Sequence, residues 1–370
     1  MPNRSYMQRA IDLAILGKGF TAPNPLVGAV IVKNDVIIGE GWHKMIGGLH
    51  AEREAIASLN ESCEGADLYV TLEPCCHFGK QPPCTQAIID NRIKRVIIGS
   101  RDPNPLVAGN GVRMLRNAGV EVIEDFMREE CDALNPIFFH YITTGMPYTA
   151  LKFAETADGK IAAFTGKSKW ITNEESRRHV HALRGEYSAV LAGIGTVLAD
   201  DPLLNCRLEN AHQPLRIVVD SHLKLPLTSK LCKTANEYRT LAVYADADES
   251  KVRALENIGV SAVRFCGEDG RVDLLALAKY LGDNSISSVL IEGGGEINEA
   301  ALKSGIVNHV YAYIAPKLLG GSAAKTPVEG QGFASPNEAV KMTLKKTTVF
   351  GDDVLLEYDV RSDLYVHRDN

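Results

Sequence analysis

With 370 residues, 45% hydrophobic, 23% charged and 6% aromatic, the chain exceeds the size at which one core keeps growing, so it is read as two domains. Its composition excludes a largely disordered protein. The formal net charge of -6, divided evenly about Gly145, gives neither half a polyanion-binding face, which excludes long nucleic acid.

In chain order, Tyr6 to Leu16 carries apolar residues at helical spacing and stops at Gly17 and Gly19. VGAVIVK, the turn residues Asn34 and Asp35, and VIIGEGW predict strand, turn and strand. HAEREAIASL predicts a helix, DLYVTLE a strand, PCTQAIIDN a helix with Pro83 near its first turn, and RVIIGS a buried strand. GNGVRMLRNAG and VEVIED add a helix and a strand, and the alternation predicts an α/β sandwich. TTGMPY at 143 to 148 breaks the pattern, which sets the domains at 1–145 and 146–370. Beyond it, YTALKFAE, YSAVLAGI, RIVVDS, TLAVYA, VSAVRFC and SVLIEGG are short Val-, Ile- and Ala-rich runs between helical stretches, as in a largely buried sheet. Thr172 with Glu175 reads as a capping box before NEESRRHVHALR, and RSDLYVHRDN as a solvated tail. No segment approaches the ~20 apolar residues of a membrane span, and the first residues lack an apolar run with a small-residue cleavage site. A cytoplasmic protein without membrane partners is expected.

Eight cysteines are present, and Cys75, Cys76 and Cys84 crowd into one short stretch, which in a reducing compartment points to metal or catalysis before disulfides. A zinc ion that does chemistry takes three protein ligands and keeps one position for water. His50, Cys75 and Cys84 supply that number. Glu52, two residues after His50, is placed to move protons without ligating the metal. The competing reading is a closed structural site, for which Cys76 or His77 would have to be the fourth ligand; it leaves Glu52 without a role.

The pattern H-x-E followed by P-C resembles the zinc nucleobase deaminases. Their second cysteine follows after two residues; here eight intervene, in PCCHFGKQPPC. That spacing, with APNPLVGAVIV upstream, is similar to the deaminase half of the bifunctional riboflavin biosynthesis proteins. The resemblance continues through LKFAETADGKIA, GKSKWIT, GTVLADDPLLNCR, VVDS and IEGGGEINEAALKSG, which resemble the reductase half of the same family, and so covers most of the chain.

The resemblance implies a cytidine-deaminase-like α/β/α sandwich followed by a dihydrofolate-reductase-like α/β domain, using one Zn2+ and NADPH. It implies that Asn24 and His43 hold a pyrimidine while His77 and Lys80 reach its base and ribose phosphate; Lys80 stands where many members carry arginine. Ala154, Trp170, Thr196, Asp200, Ser221 and the loop Gly294, Gly295, Glu296, Ile297 are expected on NADPH. Ser168, Arg184, Leu204, Arg207 and Glu292 are expected on the sugar phosphate, the two arginines as a clamp. Lys152 and Asp201 are expected near the sugar C1 that accepts hydride. A standard dinucleotide fingerprint is absent: GGG at 293 to 295 and GIGTVL at 193 to 198 both depart from G-x-G-x-x-G. The substrate is then a small pyrimidine ribotide, and a dimer or tetramer of the chain is expected. A tRNA or nucleoside deaminase is the rival within the class; it would show a short P-C-x-x-C and a basic face. A non-catalytic zinc-stabilised binding module is the rival outside it.

Overall fold

The computed structural model describes residues 1–76, 82–104 and 107–361, and the chain divides into two compact units, Met1–Gly145 and Met146–Asn370. Unit 1 runs α1 (Arg4–Ile15), β1 (Gly28–Lys33), β2 (Val36–Trp42), α2 (Ala51–Ala57), β3 (Asp67–Leu72), α3 (Cys84–Asp90), β4 (Arg95–Ser100), α4 (Asn110–Asn117), β5 (Glu121–Ile123), α5 (Arg128–Asp132) and α6 (Pro136–Thr144). Its five strands are ordered β2-β1-β3-β4-β5, with β1 antiparallel to both neighbours and β3, β4 and β5 parallel. Asn34 and Asp35, both at positive φ, make the β1–β2 turn, which suits residues that tolerate that region.

Successive strand side chains point to opposite faces, and the sequence uses both. Ala29 and Ile31 face a cluster with Ala51 and Ala55 of α2, Ile88 of α3 and Leu115 of α4. Val30 and Val32 face Met7, Ala10 and Leu13 of α1 with Cys131 of α5. The result is an α/β/α sandwich whose helix starts and strand ends on one side are free to carry a site.

Unit 2 runs β6 (Tyr148–Thr156), α7 (Glu174–Glu186), β7 (Ala189–Gly193), α8 (Ile194–Asp200), β8 (Leu215–Val219), α9 (Lys230–Lys233), β9 (Thr240–Tyr244), α10 (Glu249–Glu256), β10 (Val260–Arg264), α11 (Leu274–Asp283), β11 (Ser288–Ile291), α12 (Gly295–Lys303), β12 (Val307–Ala315), β13 (Met342–Phe350) and β14 (Asp353–Val360). The sheet order is β10-β9-β8-β7-β11-β6-β12-β14-β13. The strands are parallel from β10 to β12, and β14 and β13 are added antiparallel. Val190, Val218 and Leu290 pack one face against α7 and α9, while Leu191, Ile217 and Ile291 pack the other against α11 and α12.

Three details differ from the sequence reading. The cap of α7 is Asn173, whose side chain accepts from the Ser176 N–H at 3.0 Å, because Thr172 precedes the last extended residue rather than being it. Burial falls off at both edges of the sheet: β10 has one buried residue, and β13 is exposed along most of its length. Of the tail, only Arg361 lies among the described residues.

Candidate functional site

In unit 1, β3 ends at Leu72 and the chain leaves through Glu73 and Pro74 to Cys75. His50 is the last extended residue before α2, and Cys84 is the first residue of α3. A strand exit and two helix starts therefore converge. His50 Nδ1 lies 3.4 Å from Cys75 Sγ and 3.4 Å from Cys84 Sγ, and the three donor atoms fall within 4.8 Å of one another. A tetrahedral zinc with Zn–N of about 2.0 Å and Zn–S of about 2.3 Å separates nitrogen from sulfur by roughly 3.5 Å. The donor set and its spacing therefore fit zinc. Glu52 and Cys76 fall outside this trio, and His77 and Lys80 lie outside the described residues.

The trio is held by neighbours. The Cys84 N–H donates to Cys75 Sγ at 3.4 Å and the Thr85 N–H to the Cys75 carbonyl at 3.2 Å. A hydrogen bond from Cys84 pushes the Cys75 thiol down, against the effect of burial and with help from His50, toward the thiolate that binds metals. Arg53, not singled out by the sequence reading, donates from Nε to the Pro82 carbonyl at 3.2 Å and from Nη2 to the Pro83 carbonyl at 3.0 Å, fixing the approach to Cys84. Its position three residues after His50 on α2 was the available signal.

Glu52, in the first turn of α2, is 3% exposed. Burial pushes its carboxyl upward, and the Cys75 charge adds to this. Asn24 and His43 do meet: Asn24 Nδ2 is 3.2 Å from His43 Nε2. His43 Nδ1 lies 2.9 Å from the Leu49 carbonyl, which can only accept. Burial lowers the His43 pKa, so the neutral ring donates from Nδ1 and accepts from Asn24 at Nε2. The His43 and His50 rings stand edge to face at 5.5 Å, which puts the Asn24–His43 pair beside the trio.

In unit 2 a cleft of about 1620 Å³ is lined by every residue named above for the second half. That exceeds the 300–1,000 Å³ of an ordinary ligand pocket, so it has room for a cofactor and a substrate together. One wall is the start of α12. A Cβ on Gly293 would meet Ile297 Cγ2 at 2.6 Å and the Gly193 backbone nitrogen at 3.0 Å; Gly294 sits at φ +31. Gly293 thus packs closely against Gly193 and Ile297, and Gly293 to Ile297 line the cleft at a helix start, the kind of end that favours a phosphate. Ser221 is tied by its hydroxyl, which accepts from the Val272 N–H at 3.3 Å. Ser168 donates to Asp200 at 3.0 Å. Trp170 is 61% exposed and lies under the Arg177 guanidinium at 4.6 Å, so it is a surface of the cleft and not core packing.

Another part of the lining, beginning at Glu292 next to Gly293, is charged. Arg184 binds Glu292 with two hydrogen bonds, 2.5 and 2.9 Å, and Lys152 Nζ lies 3.7 Å from the same carboxylate. Burial acts to raise the Glu292 pKa, but Arg184 and Lys152 outweigh it and hold the carboxyl at about 2. Burial lowers the Lys152 pKa, opposed by Glu292 and assisted by Arg184. His181, also missed in the sequence, lines this wall; burial, then Arg184 and Arg207, push it down to about 4. Its spacing of three from Arg184 on α7 was the signal. Asp201 is at the cleft edge, where its carboxylate accepts from the Lys230 N–H at 2.8 Å.

Two family models match the chain: the cytidine and deoxycytidylate deaminase zinc-binding region over residues 2–100 and the RibD C-terminal domain over residues 147–356. The riboflavin biosynthesis protein RibD of Actinobacillus pleuropneumoniae is 54% identical over 98% of this chain and 97% of its own. That of Escherichia coli K12 is 38% identical over 96% and 99%. Among solved structures, Acinetobacter baumannii RibD has a TM-score of 0.87 at 37% identity, covering 97% of this chain and 98% of its own. A Thermotoga maritima diaminohydroxyphosphoribosylaminopyrimidine deaminase/5-amino-6-(5-phosphoribosylamino)uracil reductase has 0.84 at 38%, covering 96% and 98%. With both family models matched in order and relatives this similar along nearly the whole length, the chain belongs to the RibD family, the bifunctional zinc deaminases and NADPH-dependent reductases of riboflavin biosynthesis.

Proposed function

We propose that unit 1 hydrolyses the 2-amino group of 2,5-diamino-6-(ribosylamino)pyrimidin-4-one 5'-phosphate, releasing ammonia, and that unit 2 then reduces the ribosyl group of the product to ribityl. The reading includes a cytoplasmic homo-oligomer acting on small molecules without nucleic acid. The observation that carries it is the three-donor trio with a buried carboxylate beside it that is not one of the donors.

His50, Cys75 and Cys84 would hold the zinc, which when bound would supply a water activated near neutral pH. Glu52, its carboxyl raised by burial, takes the proton from water and delivers it to the departing nitrogen; a raised pKa serves both halves of that transfer. Asn24, with its amide nitrogen engaged by His43, offers its carbonyl oxygen to the pyrimidine edge. His77 and Lys80 are assigned to the base and phosphate.

In unit 2, NADPH supplies the hydride when bound. Gly294 to Ile297 would hold its phosphates at the start of α12, and Ala154, Trp170, Thr196, Asp200 and Ser221, which line the same cleft, would hold the rest. Arg184 and Arg207, with Ser168 and Leu204, hold the sugar phosphate. Lys152, made a readier acid by burial, protonates the sugar oxygen as the ring opens, and Glu292 keeps it aimed; Asp201 closes the cleft edge.

Glu52→Ala tests the first half directly. Ammonia release is expected to fall by about 10²–10⁴-fold, with zinc kept at one per chain and NADPH oxidation on the deaminated substrate intact. A variant that still releases ammonia at the parental rate would return the site to a structural zinc.

A further inference from the structure

Asn135 stands immediately before Pro136, the first residue of α6. An asparagine there ordinarily caps the helix by accepting from a first-turn N–H, and the following proline suits the same reading. It makes no such bond. Its amide instead reaches across 109 residues of sequence, Oδ1 accepting from the Leu26 N–H at 2.7 Å and Nδ2 donating to the Leu26 carbonyl at 2.8 Å. Both polar groups of one backbone residue are thus paired as a neighbouring strand would pair them. Asn135 is 3% exposed, so these bonds form away from water, where an unmade one is costly.

Leu26 is two residues from Asn24. On the far side of Leu26, the Val27 carbonyl accepts from the His43 N–H at 3.0 Å and the Gly28 N–H donates to the buried Thr71 hydroxyl at 3.1 Å. A Cβ on Gly28 would come within 1.9 Å of the Ala10 carbonyl. Val27 and Gly28 are therefore fastened to the sheet and α1, and the Asn135 bracket extends that fastening toward Asn24, whose own N–H donates to the Thr21 carbonyl at 2.8 Å.

We propose that Asn135 is a positioning residue of the deaminase: its amide sets the Leu26 backbone, and through it the placement of Asn24 against His43 and the pyrimidine. The helix gives up its cap so that the substrate loop is held. This rests on the assignment of Asn24 to the pyrimidine above.

The test is a cycle of N24A, N135A and the double variant in the full-length zinc-loaded protein, with the pyrimidine ribotide as substrate. N135A is expected to raise the deamination KM about tenfold, since small misplacements of a binding group cost rate steeply, with kcat within about twofold, one zinc per chain and NADPH oxidation unchanged. In the N24A background the same change is expected to move KM by less than about twofold, because the two residues act as one unit. N135D, which keeps the acceptor for the Leu26 N–H, replaces N135A in the cycle if the alanine variant loses zinc. Unchanged KM in N135A, additive effects of the two substitutions, or loss of zinc in both Asn135 variants would overturn the proposal. Failure of the parent protein itself to release ammonia from the ribotide would instead overturn the deaminase substrate assignment.

Discussion

Glu292 is the residue on which the charged wall of the reductase cleft turns. It is the shared partner of Arg184 and Lys152, and its side chain is 6% exposed. Removing one member of a buried pair leaves the others desolvated and unpaired, which costs about 3–5 kcal/mol. Glu292→Gln is therefore expected to lower the stability of unit 2 by that amount at pH 7, measured by denaturant unfolding. Its acid dependence has a definite sign. The native carboxyl is held at about 2 against an ordinary glutamate value of about 4.3. The contribution is thus fully present above about 4.3 and is lost as pH falls from there through 2. In the glutamine variant that part of the acid sensitivity is expected to vanish; a variant as acid-sensitive as the parent across this window would show that the stabilisation lies elsewhere.

At the scale of elements, the start of α12 shows how a strand end and a helix start are packed closely by leaving a side chain out. Gly293 is closed in by Ile297 and by the backbone of Gly193, so Gly293→Ala cannot be absorbed by a side-chain rotation alone. Overpacking of this kind costs about 1–3 kcal/mol, and here it displaces the helix start that lines the cleft. A rise in the NADPH KM with little change in the deamination rate is the expected result; an unchanged KM would mean the cofactor does not use this helix start. Elements of this sort were legible beforehand because a short apolar run ending in glycines is a local signal. The His50, Cys75 and Cys84 cluster was legible for a different reason: a histidine and two cysteines at helix starts and a strand exit carry their chemistry in residue type. What escaped was mostly non-local. The β13–β14 hairpin has an exposed outer strand, MTLKKTTVF, and so lacks the apolar run that marked the parallel strands. The capping box at Thr172 failed by one residue because Asn173, equally able to cap, took the place. Asn135 was not singled out at all, because its partner is more than a hundred residues away.

At the scale of the whole molecule, each unit encloses clusters of its own: residues 6 to 134 supply the two of unit 1, and residues 148 to 360 those of unit 2. The metal donors likewise all come from unit 1, and the cleft lining all from unit 2. A ligand that binds only the native state stabilises it by RT ln(1 + [L]/Kd), about 2.7 kcal/mol at a hundredfold excess over Kd. That free energy acts on the cooperative unit that makes the site. Removing zinc with a chelator is therefore expected to abolish ammonia release and lower one thermal transition, while NADPH oxidation on the deaminated substrate continues. Saturating NADPH is expected to raise the other transition and leave the first where it was. Calorimetry of the full chain with each ligand added and withdrawn reads both at once. A single transition that moves with either ligand would mean that the two cores unfold as one cooperative body, and that the catalytic independence of the halves does not extend to their stability.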